Sequence, residues 1–157
     1  IQKEIAKVKL LLVSDYENDL EKKKKKTVES INSNSSIIAA GFKNDVRSYL
    51  AAANALVFPS YREGFPNVVM QAGAMGLPGI VSNINGCNEI IIEKENGLII
   101  TVKDEIAVFL AMRTVVSDAS LTSKMKENSR KMIVSRYEQK VVWEAILSEY
   151  RTFDLNL

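Results

Sequence analysis

The sequence predicts an α/β domain: a parallel sheet covered by helices on both faces, followed by a closing set of helices. Three observations predict it. Short apolar runs alternate with helical stretches through the first two thirds of the chain, the signature of a parallel sheet. The runs are continuous rather than alternating, as strands buried on both faces require. From Asp104 onward the pattern is helical only. The 157 residues, 46% apolar and 25% charged, suit one globular domain with a core that needs no staples.

The elements follow in order. Val8 to Val13 reads as a buried first strand, ended by the turn residues Ser14-Asp15. Asn18 to Ser33 reads as a helix carrying Leu20, Val28 and Ile31. Its five consecutive lysines, Lys22 to Lys26, read as a solvated face or as a basic cluster drawn to anionic lipid. Ser36 to Ala40 is a second strand, closed by Gly41, and Asp45 is placed to cap a short helix reaching about Asn54. Ala55 to Phe58 is a third strand, ended by Pro59-Ser60. After the loop Tyr61 to Phe65 a helix opens at Pro66, whose fixed φ and missing N–H suit the first helical position. It is expected to reach about Gly76, with Val68, Ala72 and Met75 facing the core. Gly79 to Ser82 and Gly97 to Ile100 are the fourth and fifth strands, with turns at Asn85-Gly86 and Glu95-Asn96-Gly97. Three helices close the chain. The first opens at Asp104-Glu105 and carries Ile106, Phe109, Leu110 and Val116. The second is capped by Ser120 and carries Leu121, Met125, Met132 and Ile133. The third runs from about Glu138 past Tyr150 with Val141, Val142, Ala145 and Ile146.

Composition excludes several functions. Twenty-one Lys+Arg against nineteen Asp+Glu leave a net charge of +2, which argues against a dedicated nucleic-acid binder. No histidine is present, so histidine triads, ligands and pH switches are excluded from this chain. Cys87 stands alone, so there is no disulfide framework or cysteine-rich zinc site, and it reads as a structural thiol. No apolar run approaches the ~20 residues of a membrane span. The chain begins at Ile1 with no signal-peptide pattern, so it is expected to be a piece of a longer protein.

In parallel α/β sheets, ligands bind outside the carboxyl ends of the strands. Those ends are Ser14-Asp15, Gly41-Phe42-Lys43, Ser60 to Gly64, Ser82 to Gly86 and Thr101. The stretch Pro59 to Met75 is the informative one. A helix N-terminus offers unpaired N–H groups and a positive dipole end, so a phosphate or diphosphate fits the amides of Phe65, Asn67 and Val68. Gly64 lets a ligand approach the backbone. Glu63 would accept from hydroxyls beside that phosphate, and Asn67 and Gln71 share a helix face. The plainer alternative is that Glu63 and Gln71 only cap and tether the turn. Lys43 and Arg62 are either ordinary surface cations or phosphate contacts.

The stretch Phe58-Pro59-Ser60-Tyr61-Arg62-Glu63-Gly64-Phe65-Pro66-Asn67-Val68-Val69 resembles the signature of the retaining, GT-B-fold glycosyltransferases of family 4. Ala72 to Pro78 resembles the E-A-M-A-x-G-x-P segment, Gly86 to Ile91 the G-x-x-E-x-I turn, and Asn96 to Ile99 the N-G-x-L/I-V strand. The tail from Ser129 through Tyr150 resembles the closing helices, so the resemblance covers nearly the whole chain from Val8.

The resemblance implies a Rossmann-like, nucleotide-sugar-binding half of a GT-B fold. Residues 1–157 would be a single donor-binding domain lacking the N-terminal acceptor half and its own first strand. The enzyme would transfer a sugar from a UDP- or GDP-sugar to a glycan or lipid-linked acceptor with retention. It would need no metal and no cofactor, and would work in the cytoplasm or against the inner face of the membrane. The E-x(7)-E motif falls on Glu63 and Gln71. The first position lies near the donor sugar and phosphate, the second at the ribose hydroxyls. Gly64, Phe65, Pro66, Asn67 and Val68 form the diphosphate loop between them, and Phe42, Lys43 and Asn44 lie where the base is held. Glu89 reads as structural. The terminal helix often crosses back to the N-terminal half, so Trp143, otherwise read as core, and Phe153 would leave an apolar patch exposed.

Three departures stand out. Gln71 replaces the second Glu, the usual V-G-D-G is Val13-Ser14-Asp15-Tyr16, and the G-R…K segment that clamps the diphosphate would precede Ile1. Two alternatives therefore stay open: a GT-B-like sugar-nucleotide epimerase or phosphorylase, and a non-catalytic nucleotide- or glycan-binding module.

Overall fold

The expected parallel pairing is present in a computed structural model of the chain, which describes residues 8–14 and 22–154. They fall into two compact units, Ile1–Ala53 and Asn54–Leu157. In the first unit, β1 (Leu10–Leu12) pairs in parallel with β2 (Ile37–Ala39), Leu10 opposite Ile37 and Leu12 opposite Ala39. α1 (Lys22–Ser33) is the crossover. Asp15 and the expected helical residues Asn18 to Glu21 lie outside the described residues. α2 (Arg47–Ala52) buries only Leu50. Its N-cap is Val46, not Asp45. Asp45 stands one residue earlier and takes both the N–H of Arg47, at 3.0 Å, and its guanidinium, at 2.7 Å. These bonds, the side-chain one foremost, lower the Asp45 pKa to about 2.

In the second unit, β3 (Leu56–Phe58), β4 (Gly79–Ser82) and β5 (Gly97–Ile100) form a parallel ladder with β4 in the centre. Successive side chains on a strand point to opposite faces. Ile80 accordingly packs with Leu98, Ile100, Ala111, Val115 and Met125, while Val81 packs with Val69, Cys87, Ile90, Ile91 and Ile133. Both faces of β4 are covered, which is why it reads as a continuous run.

α3 (Asn67–Ala74) buries Val69, Ala72 and Gly73. Val68 is only half-buried and Met75 is exposed, so the core face is rotated from the expected one. The reason lies at Gly73, where an added Cβ would meet Ile133 Cγ1 at 2.6 Å. α3 presents its smallest residues to the later helix that carries Ile133. It ends before Gly76, whose φ of +80° serves the left-handed helix stop.

α4 (Cys87–Ile90) is a single turn that the sequence pattern did not suggest. α5 (Glu105–Ser117) is capped by Asp104, whose Oδ1 accepts from Ala107 N at 2.9 Å. Its core residues are Ala111 and Val115, flanked by Ala107, Val108 and Met112. Ile106, by contrast, is 70% exposed, and Leu110 and Val116 are also exposed. The helix carries two apolar stripes, and the one with the small alanines sits on the sheet. α6 (Ala119–Tyr137) is capped by Asp118 rather than Ser120, with Asp118 Oδ1 accepting from Leu121 N at 2.9 Å. Asp118 also ends α5. α7 (Gln139–Asp154) follows directly on Glu138. Trp143 is 57% exposed, not core, because no described element covers its face of α7. Ile146, Leu147, Tyr150 and Phe153 are exposed with it, which forms the apolar patch expected there.

Candidate functional site

Two connections at the carboxyl ends of β3 and β4 build the site. Ser60 follows Pro59 out of β3, and its hydroxyl donates to Glu63 Oε1 at 2.6 Å. Gly64 is open: an added Cβ would meet nothing within 4 Å. The chain then enters α3 through Pro66, which is its N-cap rather than its first helical residue. Pro66 offers no side-chain cap. Its carbonyl accepts from Val69 N at 3.1 Å and Met70 N at 3.4 Å. The amides of Asn67 and Val68 have no hydrogen-bond partner among the described residues. An eight-residue helix thus presents unpaired donors and its positive end beside an open glycine and a carboxylate.

The turn after β4 locks against this loop. Gly86 has φ +76°, and a Cβ there would run into the carbonyl oxygen of Gly64. The N–H of Gly86 donates to Glu89 Oε1 at 3.1 Å, the reach-back half of a capping box, so Glu89 holds its own turn together. Gly86 has no side chain to supply the other half. The end of α6 clamps the same turn: Arg136 and Tyr137 both donate to Glu89 O, the latter at 3.1 Å. Tyr137 in turn meets the Phe65 ring edge-on, centroids 5.4 Å apart. Cys87 is fully buried between these parts. Burial first, and the Glu63 charge second, push its thiol pKa up, so it stays a protonated structural group.

Within this unit Glu63, Gly64, Phe65, Pro66, Asn67, Val68 and Gln71 are brought together as one loop and helix start. Asn67 and Gln71 are exposed, and neither side chain has a hydrogen-bond partner among the described residues. Arg62 is exposed beside them. Phe42, Lys43 and Asn44 belong to the first unit, after β2. Phe42 and Asn44 are exposed there, and the Lys43 ammonium stands 5.9 Å from the Tyr49 ring centroid. Two features escaped sequence reasoning. One is the Ser60–Glu63 bond, whose i, i+3 spacing in a loop carries no periodic signal. The other is Lys103, at φ +58° beyond β5, which reaches the exposed Tyr61 ring at 5.5 Å. Among the described residues no group of three or more Cys, Asp or Glu side chains converges as a metal site.

The sequence matches the family described as Glycosyl transferases group 1 over residues 1–132. The capsular polysaccharide biosynthesis glycosyltransferase CapM of Staphylococcus aureus is 30% identical over 120 residues, 76% of this chain and 32% of that protein. The UDP-Gal:alpha-D-GlcNAc-diphosphoundecaprenol alpha-1,3-galactosyltransferase of Escherichia coli is 32% identical over 123 residues, 78% of this chain and 29% of that protein. The chain therefore spans about a third of the length of these relatives. Among solved structures, Anabaena HepE in complex with UDP superposes with a TM-score of 0.83 at 20% identity, over 92% of this chain and 41% of that one. The C-terminal domain of a group 1 glycosyl transferase, LpcC of Francisella tularensis, superposes with a TM-score of 0.76 at 24% identity, over 88% of this chain and 74% of that one. These superpositions show the fold.

Proposed function

Because the chain belongs to the group 1 glycosyl transferases, we propose that it is the nucleotide-sugar-binding half of a retaining glycosyltransferase. It works with an N-terminal half that supplies the acceptor side of a shared cleft. The donor is a UDP- or GDP-sugar and the acceptor a glycan or lipid-linked sugar. CapM acts in capsular polysaccharide biosynthesis, and the Escherichia coli relative is named for a diphosphoundecaprenol acceptor, which supports that acceptor class. The observation that carries the reading is the start of α3: unpaired amides at Asn67 and Val68, open space at Gly64, and Glu63 on the same loop with its carboxylate held by Ser60.

The chemistry follows from that arrangement. As the bond from the anomeric carbon to the diphosphate breaks, negative charge grows on the leaving oxygens. Fixed N–H donors and the positive helix end stabilise that charge without reorganising. Glu63 accepts from hydroxyls of the donor sugar and fixes its pose. Gln71, on the second turn of α3, meets the ribose hydroxyls. Arg62 serves the phosphates. No metal or cofactor takes part. No single described helix is long and apolar enough to cross a membrane. Contact with the inner membrane face is peripheral, through the Lys22 to Lys26 run and anionic lipid.

The test has two arms. Titration of this chain with UDP, GDP, ADP and their sugar conjugates, followed by NMR, is expected to move resonances from Glu63 to Gln71 for one base. In the full-length enzyme, Glu63→Ala is expected to abolish turnover and keep the fold, and normal turnover overturns the assignment. This chain alone is expected not to transfer sugar. Gln71 in place of a glutamate favours a second reading, a non-catalytic nucleotide-binding module. Nucleotide binding without any transfer by the full-length protein would select it.

A further inference from the structure

We propose that Ser60 is a positioning residue for Glu63, holding its carboxylate in the one orientation that meets the donor sugar. The inference rests on the donor-site reading of Glu63 and extends it to the hydroxyl of Ser60, which lies within the signature stretch but has been given no role. Ser60 Oγ donates to Glu63 Oε1 at 2.6 Å, within the short range of an O–H···O⁻ bond. Its other neighbour, Arg62 O at 3.5 Å, is too distant to compete for the single hydroxyl proton. A glutamate has several free torsions and loses substantial rotamer entropy when fixed. Among the described residues the Glu63 carboxylate has no second hydrogen-bond partner, so this bond is the polar contact that holds its rotamer.

The geometry around the bond fits that role. Ser60 sits two residues past the end of β3, directly after Pro59, whose ring fixes the local φ. The Ser60 bond occupies Oε1 and leaves Oε2 free to accept from a ligand. The space beside Gly64 is open on the same loop.

The experiment compares Ser60→Ala, Ser60→Thr and Ser60→Val in the full-length protein. Thr keeps the hydroxyl, and Val has its shape without it. A crystal structure of Ser60→Val is expected to show the Glu63 carboxylate turned from its present position, and an unmoved Glu63 overturns the proposal. Nucleotide release from UDP-glucose, or from GDP-mannose if that is the donor bound, gives the kinetic arm. Ser60→Ala and Ser60→Val are expected to lower kcat by about 10- to 100-fold, with donor KM within about threefold and the melting temperature unchanged. Ser60→Thr is expected to keep most of the rate. Equal losses in all three variants, or losses that track a fall in melting temperature, mean a structural role and overturn the proposal. Glu63→Ala separates the two readings. If it leaves kcat intact, the donor-site reading fails. If it collapses kcat while the Ser60 variants do not follow, only the positioning role fails.

Discussion

Adding one methyl group at Gly86 tests how the two site loops are held together. The residue has φ +76° and ψ −46°, outside the regions an L side chain prefers. Left-handed backbone costs a non-glycine residue about 1 to 2 kcal/mol. The new Cβ would also stand 2.1 Å from Gly64 O and 3.0 Å from Pro66 Cδ, well inside the ~3.5 Å of an optimal contact. One is a backbone oxygen and the other a proline ring carbon, and neither can rotate aside. Forcing rigid atoms apart costs roughly 1 to 3 kcal/mol more. Gly86→Ala is therefore expected to destabilise by about 2 to 5 kcal/mol, a large share of a typical ~5–15 kcal/mol total. Urea unfolding followed by circular dichroism should show the midpoint falling by roughly 1 to 2 M. Gly64→Ala is the control. It has open space around it and no positive φ, so its stability is expected to change by less than about 0.5 kcal/mol. Its nucleotide affinity should nevertheless fall, because the methyl group occupies the space the ligand approaches. A Gly86→Ala protein as stable as its parent, or a Gly64→Ala protein as unstable as Gly86→Ala, would refute the reasoning.

Three further outcomes are expected. Gln71→Glu should raise nucleotide affinity in calorimetry by about 1 kcal/mol, as a charge-assisted bond replaces a neutral one, and no rise counts against a ribose contact. Asp118→Ala should lower stability by about 1 kcal/mol in thermal unfolding, because the carboxylate caps α6, whereas Ser120→Ala should not. Asp45 has a folded pKa of about 2, below its ordinary 3.8, so its contribution is complete above pH 4 and lost as pH falls toward 2. The stability difference between the parent and Asp45→Asn should shrink as pH falls from 4 through about 2, and a difference undiminished at pH 2 would exclude the Arg47 pairing as its source.

The parts legible in the sequence were those fixed by short-range chemistry. β4 and β5 have the expected bounds because buried apolar runs are bracketed by Pro78, Gly97 and polar residues. The loop and helix from Ser60 to Gly76 were legible because proline and glycine mark both ends. The face of α5 was not, since Ile106 and Leu110 are as apolar as the Ala111 and Val115 that pack on the sheet. Only the closeness of the sheet favours the smaller pair. The rotation of α3 was equally hidden, being set by Ile133 filling the place beside Gly73. The tie between Gly86 and Gly64 joins two turns whose approach no local pattern reports.

The match to the family stops at residue 132. Ile133, Arg136 and Tyr137 lie just beyond it, yet they pack on Gly73, hold the Glu89 carbonyl and flank Phe65. A chain shortened to the matched boundary would keep the loop and helix start from Ser60 to Gly76 and lose the brace behind them. Where this domain is transplanted or trimmed, the cut belongs after Glu138, where α6 ends and α7 begins, rather than at the edge of the sequence signature.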